Sequence, residues 1–238
     1  MILCLDCGNS RLKWGLHDGA GWLEQGALAH DEIAALAGLT QQWPQPGQVL
    51  LANVAGAAVG ERIRRSLGHW ADRLQEVRST ASCAGVSNHY MHPERLGVDR
   101  WCALIGAWGQ TQAACLVVMA GTATTIDTLD AGGNFLGGMI LPGSELMRRI
   151  LARDTAGLPL AQGQWSAAPR CTEDAIATGA IEAQVGAIER AFARLASPTA
   201  VCLVSGGNAD VLLQHLAMPC FRAQNLPLEG LLRIGRNQ

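Results

Sequence analysis

LVVMAGTATTIDTLDAGGNFL, residues 116–136, reads as an apolar strand, a small-residue turn, a threonine-rich second strand, a Gly-Gly turn and a third strand. An earlier stretch, LCLDCGNSRLKWGLHDGAGWL at residues 3–23, has the same order. Placed together, Leu3 falls on Leu116, Gly8 on Gly121, Asn9 on Thr122, Gly19 on Gly132 and Leu23 on Leu136. Asp18-Gly19 and Gly132-Gly133 are hairpin signals. Two unrelated hairpins can share such features, but an order kept across residues 3–23 and 116–136 favours duplication.

The segments after each hairpin strengthen that reading. The first half predicts a helix over 30–40, a strand over 48–55 and a helix over 57–74, where Ile63, Leu67, Trp70 and Leu74 keep helical spacing. The loop NHYMHPERLGVDRW (88–101) runs into a helix over 99–110. The second half predicts strands near 115–119, 123–129 and 134–141, then a helix opened by Pro142 and running to about 153. After a loop over 154–170, Thr172 reads as the N-cap of a long helix to about 195, with Glu173 and Asp174 in its first turn. TAVCLVSGG (199–207) is a strand ending in a glycine turn, and NADVLLQHL (208–216) the helix after it. The expectation is two duplicated α/β domains, 1–112 and 113–238, facing a cleft.

Composition narrows the class. The 238 residues are 49% hydrophobic, with mean hydropathy +0.14, net charge −2 and pI near 6.3. Such a chain is globular, and no apolar run approaches the roughly 18 residues of a membrane span. The near-neutral balance does not suggest a nucleic-acid partner. MILCLDCGNS has no basic region ahead of its apolar run and is a poor signal peptide, so a cytoplasmic protein is expected. Cys4 and Cys7 form a CxxC on a strand, where their side chains point to opposite faces. No second CxxC accompanies it, so reduced thiols are expected, not a zinc site. His89 and His92 read as loop residues.

Chemistry gathers at the turns. DCGNSRLK (6–13) closes strand one, and its glycine lets backbone N–H groups approach an anion. Asn9 and Ser10 add donors, and Lys13, the chain's single lysine, adds a point charge. Asp6 suits Mg²⁺, which prefers oxygen ligands. The same residues also suit an ordinary β-turn with a surface lysine. AGTATT (120–125) repeats the arrangement, with Thr122, Thr124 and Thr125 as donors, and SGGNA (205–209) is a third glycine turn. In the loop, Asp99 follows Gly97 and precedes Arg100. A carboxylate beside a guanidinium can take a proton from an alcohol while the arginine holds an acidic group. An N-cap Asp with a surface Arg has the same sequence.

Taken in order, DCGNSRLK, GVDRW, GTATTID, GGMILPG and SGGNA resemble the pattern of the type III pantothenate kinases, a family that includes the Bvg accessory factor proteins. The resemblance covers nearly the whole chain. It implies an actin-like ATPase (ribonuclease H-like) fold of two duplicated domains around a nucleotide cleft. It further implies ATP- and Mg²⁺-dependent phosphorylation of pantothenate, the first step of coenzyme A biosynthesis, in a homodimer. Residue by residue, it assigns Asp6, Cys7, Gly8, Asn9, Ser10, Arg11, Leu12 and Lys13 to the first phosphate loop, and Gly121 and Thr122 to the second. It assigns Tyr90, Gly97, Val98, Asp99, Arg100 and Thr172 to the substrate, with Asp99 as general base.

One position breaks the pattern. The family commonly has Asp before the second glycine turn, where it helps bind a monovalent cation such as K⁺ or NH₄⁺. This chain has Met119 there. A thioether is a poor ligand for hard cations, which calls that cation site into question. Asp127 lies further along, on the strand after the turn, as a candidate to compensate. A second reading, a nucleotide-binding regulator without catalysis, is weighed against by the retained Asp6, Lys13, Asp99 and Arg100.

Overall fold

The computed structural model describes residues 1–160 and 162–237. Along the chain, β1 (Ile2–Cys7), β2 (Arg11–His17) and β3 (Trp22–Ala29) form a meander. A 3-10 segment (His30–Gly38) and the short α1 (Leu39–Gln42) lead to β4 (Gln48–Asn53) and α2 (Ala57–Ser66). A 3-10 turn over Gly68–Arg73 then enters β5 (Leu74–Glu76). Two short strands, β6 (Ser82–Cys83) and β7 (Val86–Asn88), precede α3 (Val98–Thr111). The pattern restarts with β8 (Cys115–Ala120), β9 (Ala123–Leu129), β10 (Asn134–Pro142), α4 (Ser144–Asp154) and α5 (Thr172–Arg194). The chain closes with β11 (Val201–Ser205), α6 (Ala209–Leu213), β12 (Cys220–Arg222) and α7 (Leu226–Arg236).

The chain divides into two compact units. The first holds Met1–Gln112, Gly133–Phe135 and the segment from Asn225; the second holds Ala113–Gly132 and Leu136–Gln224. The segment from Asn225, which the two-halves reading groups with the second domain, thus joins the first unit. In the first unit the sheet order is β3-β2-β1-β4-β5, with β1, β4 and β5 parallel and the hairpin strands antiparallel. In the second, the order β10-β9-β8-β11-β12 repeats it, again with a parallel β8-β11-β12 set. Two sheets with the same strand order are the structural form of the sequence repeat.

Alternation sets the faces of each sheet. In β1, Leu3, Leu5 and Cys7 pack with Leu12, Trp14 and Leu16 of β2 against Ile33, Leu36, Ile63 and Trp70. Cys4 and Asp6 take the other face, where α3 and α7 pack. In the second unit, Leu116, Val118, Ala120, Ile126, Cys202 and Val204 face α5 through Val185 and Ile188. The hydroxyl of Thr124 lies on this face and donates to Gln184 Oε1.

Several boundaries differ from the sequence expectation. Residues 30–38 wind as a 3-10 helix. The helix expected over 57–74 stops at Ser66, because Gly68 takes a left-handed φ of 53°. Pro142 ends β10 instead of opening α4, a position that needs no ladder N–H; Gly143 is the N-cap. Thr172 is the first helical residue, not the N-cap, because the extended backbone (φ −136°, ψ 162°) belongs to Cys171. Asp99 likewise sits inside the first turn of α3, with Gly97 as N-cap.

Candidate active site

The first glycine turn joins β1 to β2. Gly8 N–H donates to the Arg11 carbonyl (3.1 Å), and His30 Nε2 donates to the Gly8 carbonyl (2.9 Å). Gly8 needs no glycine for its own fold, since an added Cβ meets only ordinary contact with Arg11 O at 3.6 Å. Gly121 is alike, with Ala123 O at 3.5 Å. Small residues at uncrowded turn positions leave room for a ligand against the backbone. Asn9, Ser10 and Arg11 are exposed there. Cys7 and Leu12 are not: both side chains are wholly buried in the core, so only their backbone faces the turn. Burial pushes the Cys7 thiol up to about 11, a structural and not a reactive cysteine.

Asp6 and Lys13 are direct cross-strand partners and share one face of the sheet. Asp6 is only 7% exposed. Burial pushes its carboxyl up to about 7, against the pull of Lys13 and with a further push from Asp99. Asp99 is therefore close enough to be felt by Asp6. Its place is set by Gly97, where an added Cβ would stand 2.7 Å from Asp99 Oδ1. Asp6 and Lys13 thus share a row at the end of β1, with Asp99, at the start of α3, within electrostatic reach of Asp6. Among the described residues no cluster of three or more His, Cys, Asp or Glu could enclose a metal. A divalent ion held by Asp6 would take its remaining ligands from phosphate and water, which fits Mg²⁺.

Arg100, the next residue, is buried, and its guanidinium carbon lies 5.9 Å from the ring centroids of both Tyr90 and Phe135. Those two rings stack at 6.0 Å. This aromatic bracket holds a cation on one side and leaves Tyr90 exposed on the other. The loop is tied by Asn88, whose amide donates to the Thr80 and Pro93 carbonyls and whose Oδ1 accepts from Tyr90 N–H. Ser79 donates to the Leu96 carbonyl. Behind the site, α3 is held against α7 through glycines. A Cβ on Gly230 would overlap the Cys102 carbonyl, and one on Gly106 the Leu226 carbonyl.

In the second unit, Thr122 is exposed at the β8–β9 turn, and its carbonyl accepts from Gly143 N–H (2.9 Å). Gly143 belongs to the GGMILPG stretch, and a side chain there would strike the Gly121 carbonyl. The third turn docks beside it: Asn208 N–H donates to the Ala120 carbonyl (3.1 Å), and Gly206, at φ 102°, lies against the same carbonyl. Of the three threonines, Thr124 is bonded to Gln184 and Thr125 is buried, whereas Thr122 is exposed. Thr172 sits on a largely apolar groove of about 600 Å³ between α4 and α5, with Met147, Ile150 and Ile176. Met119 is half-buried and carries no charge, so the chain does not fit the family's monovalent cation at this position.

The structure therefore pairs Asp6 with Lys13, leaves Asp99 within electrostatic reach of Asp6, and sets Arg100 over Tyr90. Sequence reasoning missed His30, Asn88 and Phe135. The signal for Phe135 lay in strand pairing, since Phe135 is the register partner of Asn88 on β7.

Comparison with known proteins gives a concordant result. A family model described as type III pantothenate kinase matches residues 2–194. The type III pantothenate kinase of Dechloromonas aromatica is 59% identical over 231 residues, covering 97% of each chain. That of Aromatoleum aromaticum is 49% identical, covering 99% of this chain and 98% of its own. Among solved structures, a Baf family protein from Campylobacter jejuni, named for transcriptional activation, superposes with TM-score 0.65 at 21% identity, covering 98% of this chain and 97% of that one. A 2-dehydro-3-deoxygalactonokinase family structure from Sinorhizobium meliloti gives TM-score 0.63 at 15% identity, covering 99% and 98%. These structural likenesses carry the actin-like ATPase and sugar-kinase fold. With the fold, the paired glycine turns and a full-length sequence match in agreement, the chain belongs to the type III pantothenate kinase family.

Proposed function

We propose that the protein transfers the γ-phosphoryl group of ATP to the hydroxyl of pantothenate, giving 4'-phosphopantothenate and ADP. The observation that carries this is the Asp6–Lys13 pair beside the first glycine turn, in a chain whose full length matches the type III pantothenate kinases, with Asp99 and the Arg100–Tyr90 bracket at the start of α3. Phosphoryl transfer depends mostly on positioning and charge neutralisation. In the first unit the backbone of residues 6–13 and Lys13 would hold ATP phosphate; in the second, Gly121 and Thr122 are the proposed ATP contacts. Mg²⁺, when bound at Asp6, supplies charge neutralisation at the phosphates. Gly97, Val98, Arg100 and Tyr90 would hold pantothenate, the guanidinium taking its carboxylate; in the second unit, Thr172 is the residue proposed for the substrate.

Asp99 orients the pantothenate hydroxyl and accepts its proton as the oxygen–phosphorus bond forms and the bond to ADP breaks. General-base catalysis is worth about 10²–10⁴-fold. Asp99→Asn is therefore expected to bind ATP and pantothenate normally by calorimetry while turnover falls by that factor. Near-normal turnover would contradict the assignment. The same family reading supports a cytoplasmic homodimer with pantothenate and ATP as its partners. No helix among the described residues is long and apolar enough to cross a membrane. A carboxylate at Asp99 next to the buried Arg100, which lies by the Tyr90 and Phe135 rings, favours catalysis over the regulator reading.

A further inference from the structure

The two sheets can be compared row by row. Where β1 carries Asp6, its neighbours β2 and β4 carry Lys13 and Ala52. The corresponding row of the second unit has Met119 on β8, Thr125 on β9 and Ser205 on β11. Residues directly paired across strands point to one face, their Cβ atoms roughly 4.5–5.5 Å apart. Met119 thus stands between two hydroxyls. Both residues are buried, Thr125 at 8% and Ser205 at 1% exposure, and neither hydroxyl oxygen has a hydrogen-bond partner among the described residues.

Unmet hydroxyls are not a habit of this strand. Thr124, one residue along and on the opposite face, donates to Gln184. A buried hydroxyl without a partner is a net cost to the fold, and a thioether is too weak an acceptor to serve two of them. A carboxylate at position 119 would accept from both and still present an oxygen outward.

We infer that Thr125 and Ser205 are the surviving rim of a carboxylate socket whose centre Met119 has taken, and that the nucleotide site of this chain works without a bound monovalent cation. The cation part rests on the proposed nucleotide site; the socket part rests only on strand register and the two hydroxyls. Hard monovalent ions favour a charged oxygen ligand, and this row has a thioether sulfur at its centre with only neutral hydroxyls beside it.

The test titrates a non-hydrolysable ATP analogue with Mg²⁺ into the full chain, in potassium chloride and in tetramethylammonium chloride of equal ionic strength. The wild type is expected to give Kd values within about twofold of each other in the two salts. Met119→Asp is expected to bind at least about fivefold tighter in potassium, and adding Thr125→Val and Ser205→Ala to it is expected to remove that preference. A potassium preference in the wild type, or none in Met119→Asp, overturns the inference. Thr125→Val and Ser205→Ala alone, in the natural chain, provide a check that does not depend on Met119→Asp folding. Each deletes an unpartnered hydroxyl, so each is expected to melt at or above the wild-type Tm. A fall of several degrees in both would mean the hydroxyls are already satisfied, and would overturn the socket. If the wild type binds no nucleotide in either salt, the nucleotide reading fails, while the two melting curves still decide the socket.

Discussion

At the scale of the residue, Asp99 is set by what Gly97 lacks. The backbone at 97 has φ −54°, so alanine meets no conformational barrier there. Its Cβ would nevertheless stand 2.7 Å from Asp99 Oδ1 and turn the carboxylate aside. A displacement of about 1 Å in a catalytic group can cost about 10²-fold in rate. Gly97→Ala is expected to lose turnover on that order while its Tm stays near that of the wild type; steady-state kinetics with a melting curve checks both, and unchanged turnover would contradict the role of Gly97. The side chains at the turns were legible in sequence because Asp6, Lys13, Asp99 and Tyr90 are unusual residues in telling places. Phe135, Asn88 and His30 were not. Each acts through a contact, to Arg100, the loop carbonyls and the Gly8 carbonyl, that only strand pairing and chain packing create. Cys7 and Leu12 show the reverse: inside the motif by sequence, inside the core by structure.

At the scale of the element, the site depends on how α3 is carried. Its first turn holds Asp99 and Arg100, and its body lies so close to α7 that backbone meets backbone at Gly106 and Gly230. Gly230→Ala would drive a methyl into the Cys102 carbonyl. Overpacking of this kind typically costs about 1–3 kcal/mol, and here a loss of about 3 kcal/mol in denaturant unfolding is expected, because the obstacle is backbone and cannot rotate away. A loss below about 1 kcal/mol would show that the helices separate easily. The sequence of α7, LPLEGLLRIGR, hides the helix, since two interior glycines weaken the periodic signal. Those glycines are there for packing. The hairpins were legible because their turns carry Gly at the positions that need it, such as Gly19 at φ 114°.

The same α7 grips the first hairpin and makes it sensitive to acid. Trp22 Nε1 donates to Glu229, and Arg236 donates to the Gly19 carbonyl (2.9 Å). His17 Nδ1 accepts from Gly19 N–H (2.8 Å), so protonation there would remove this bond from the turn. Burial, with Arg236 beside it, holds the imidazole below its ordinary value of 6.5. A base with a lowered folded value binds protons better when unfolded. Its stabilising contribution is therefore full above 6.5 and is lost as the pH falls through that value toward the lower folded one. Unfolding measured at pH 7.5 and 5.5 is expected to show a smaller loss for His17→Gln than for the wild type. An equal loss would place the acid sensitivity elsewhere.

At the scale of the whole molecule, duplication is the organising fact. Both units use one strand order, with the glycine turns at the ends of β1 and β8. The sequence repeat, aligned by a constant offset, lays Lys13 over Ile126. Strand register instead sets Thr125 opposite Met119 as Lys13 is opposite Asp6, because the second turn is one residue shorter. The charged row of the first unit and the neutral row of the second are thus true counterparts, which a sequence alignment alone obscured. That asymmetry gives the first unit the Asp6–Lys13 pair and leaves the second with a neutral row beside the exposed Thr122. The most direct test is pantothenate-dependent ADP formation by the wild-type protein with Mg²⁺ and ATP, in buffer free of potassium and ammonium. The account predicts sustained turnover that stops when pantothenate is omitted. Nucleotide binding without any pantothenate-dependent ADP, with or without added potassium, would contradict it.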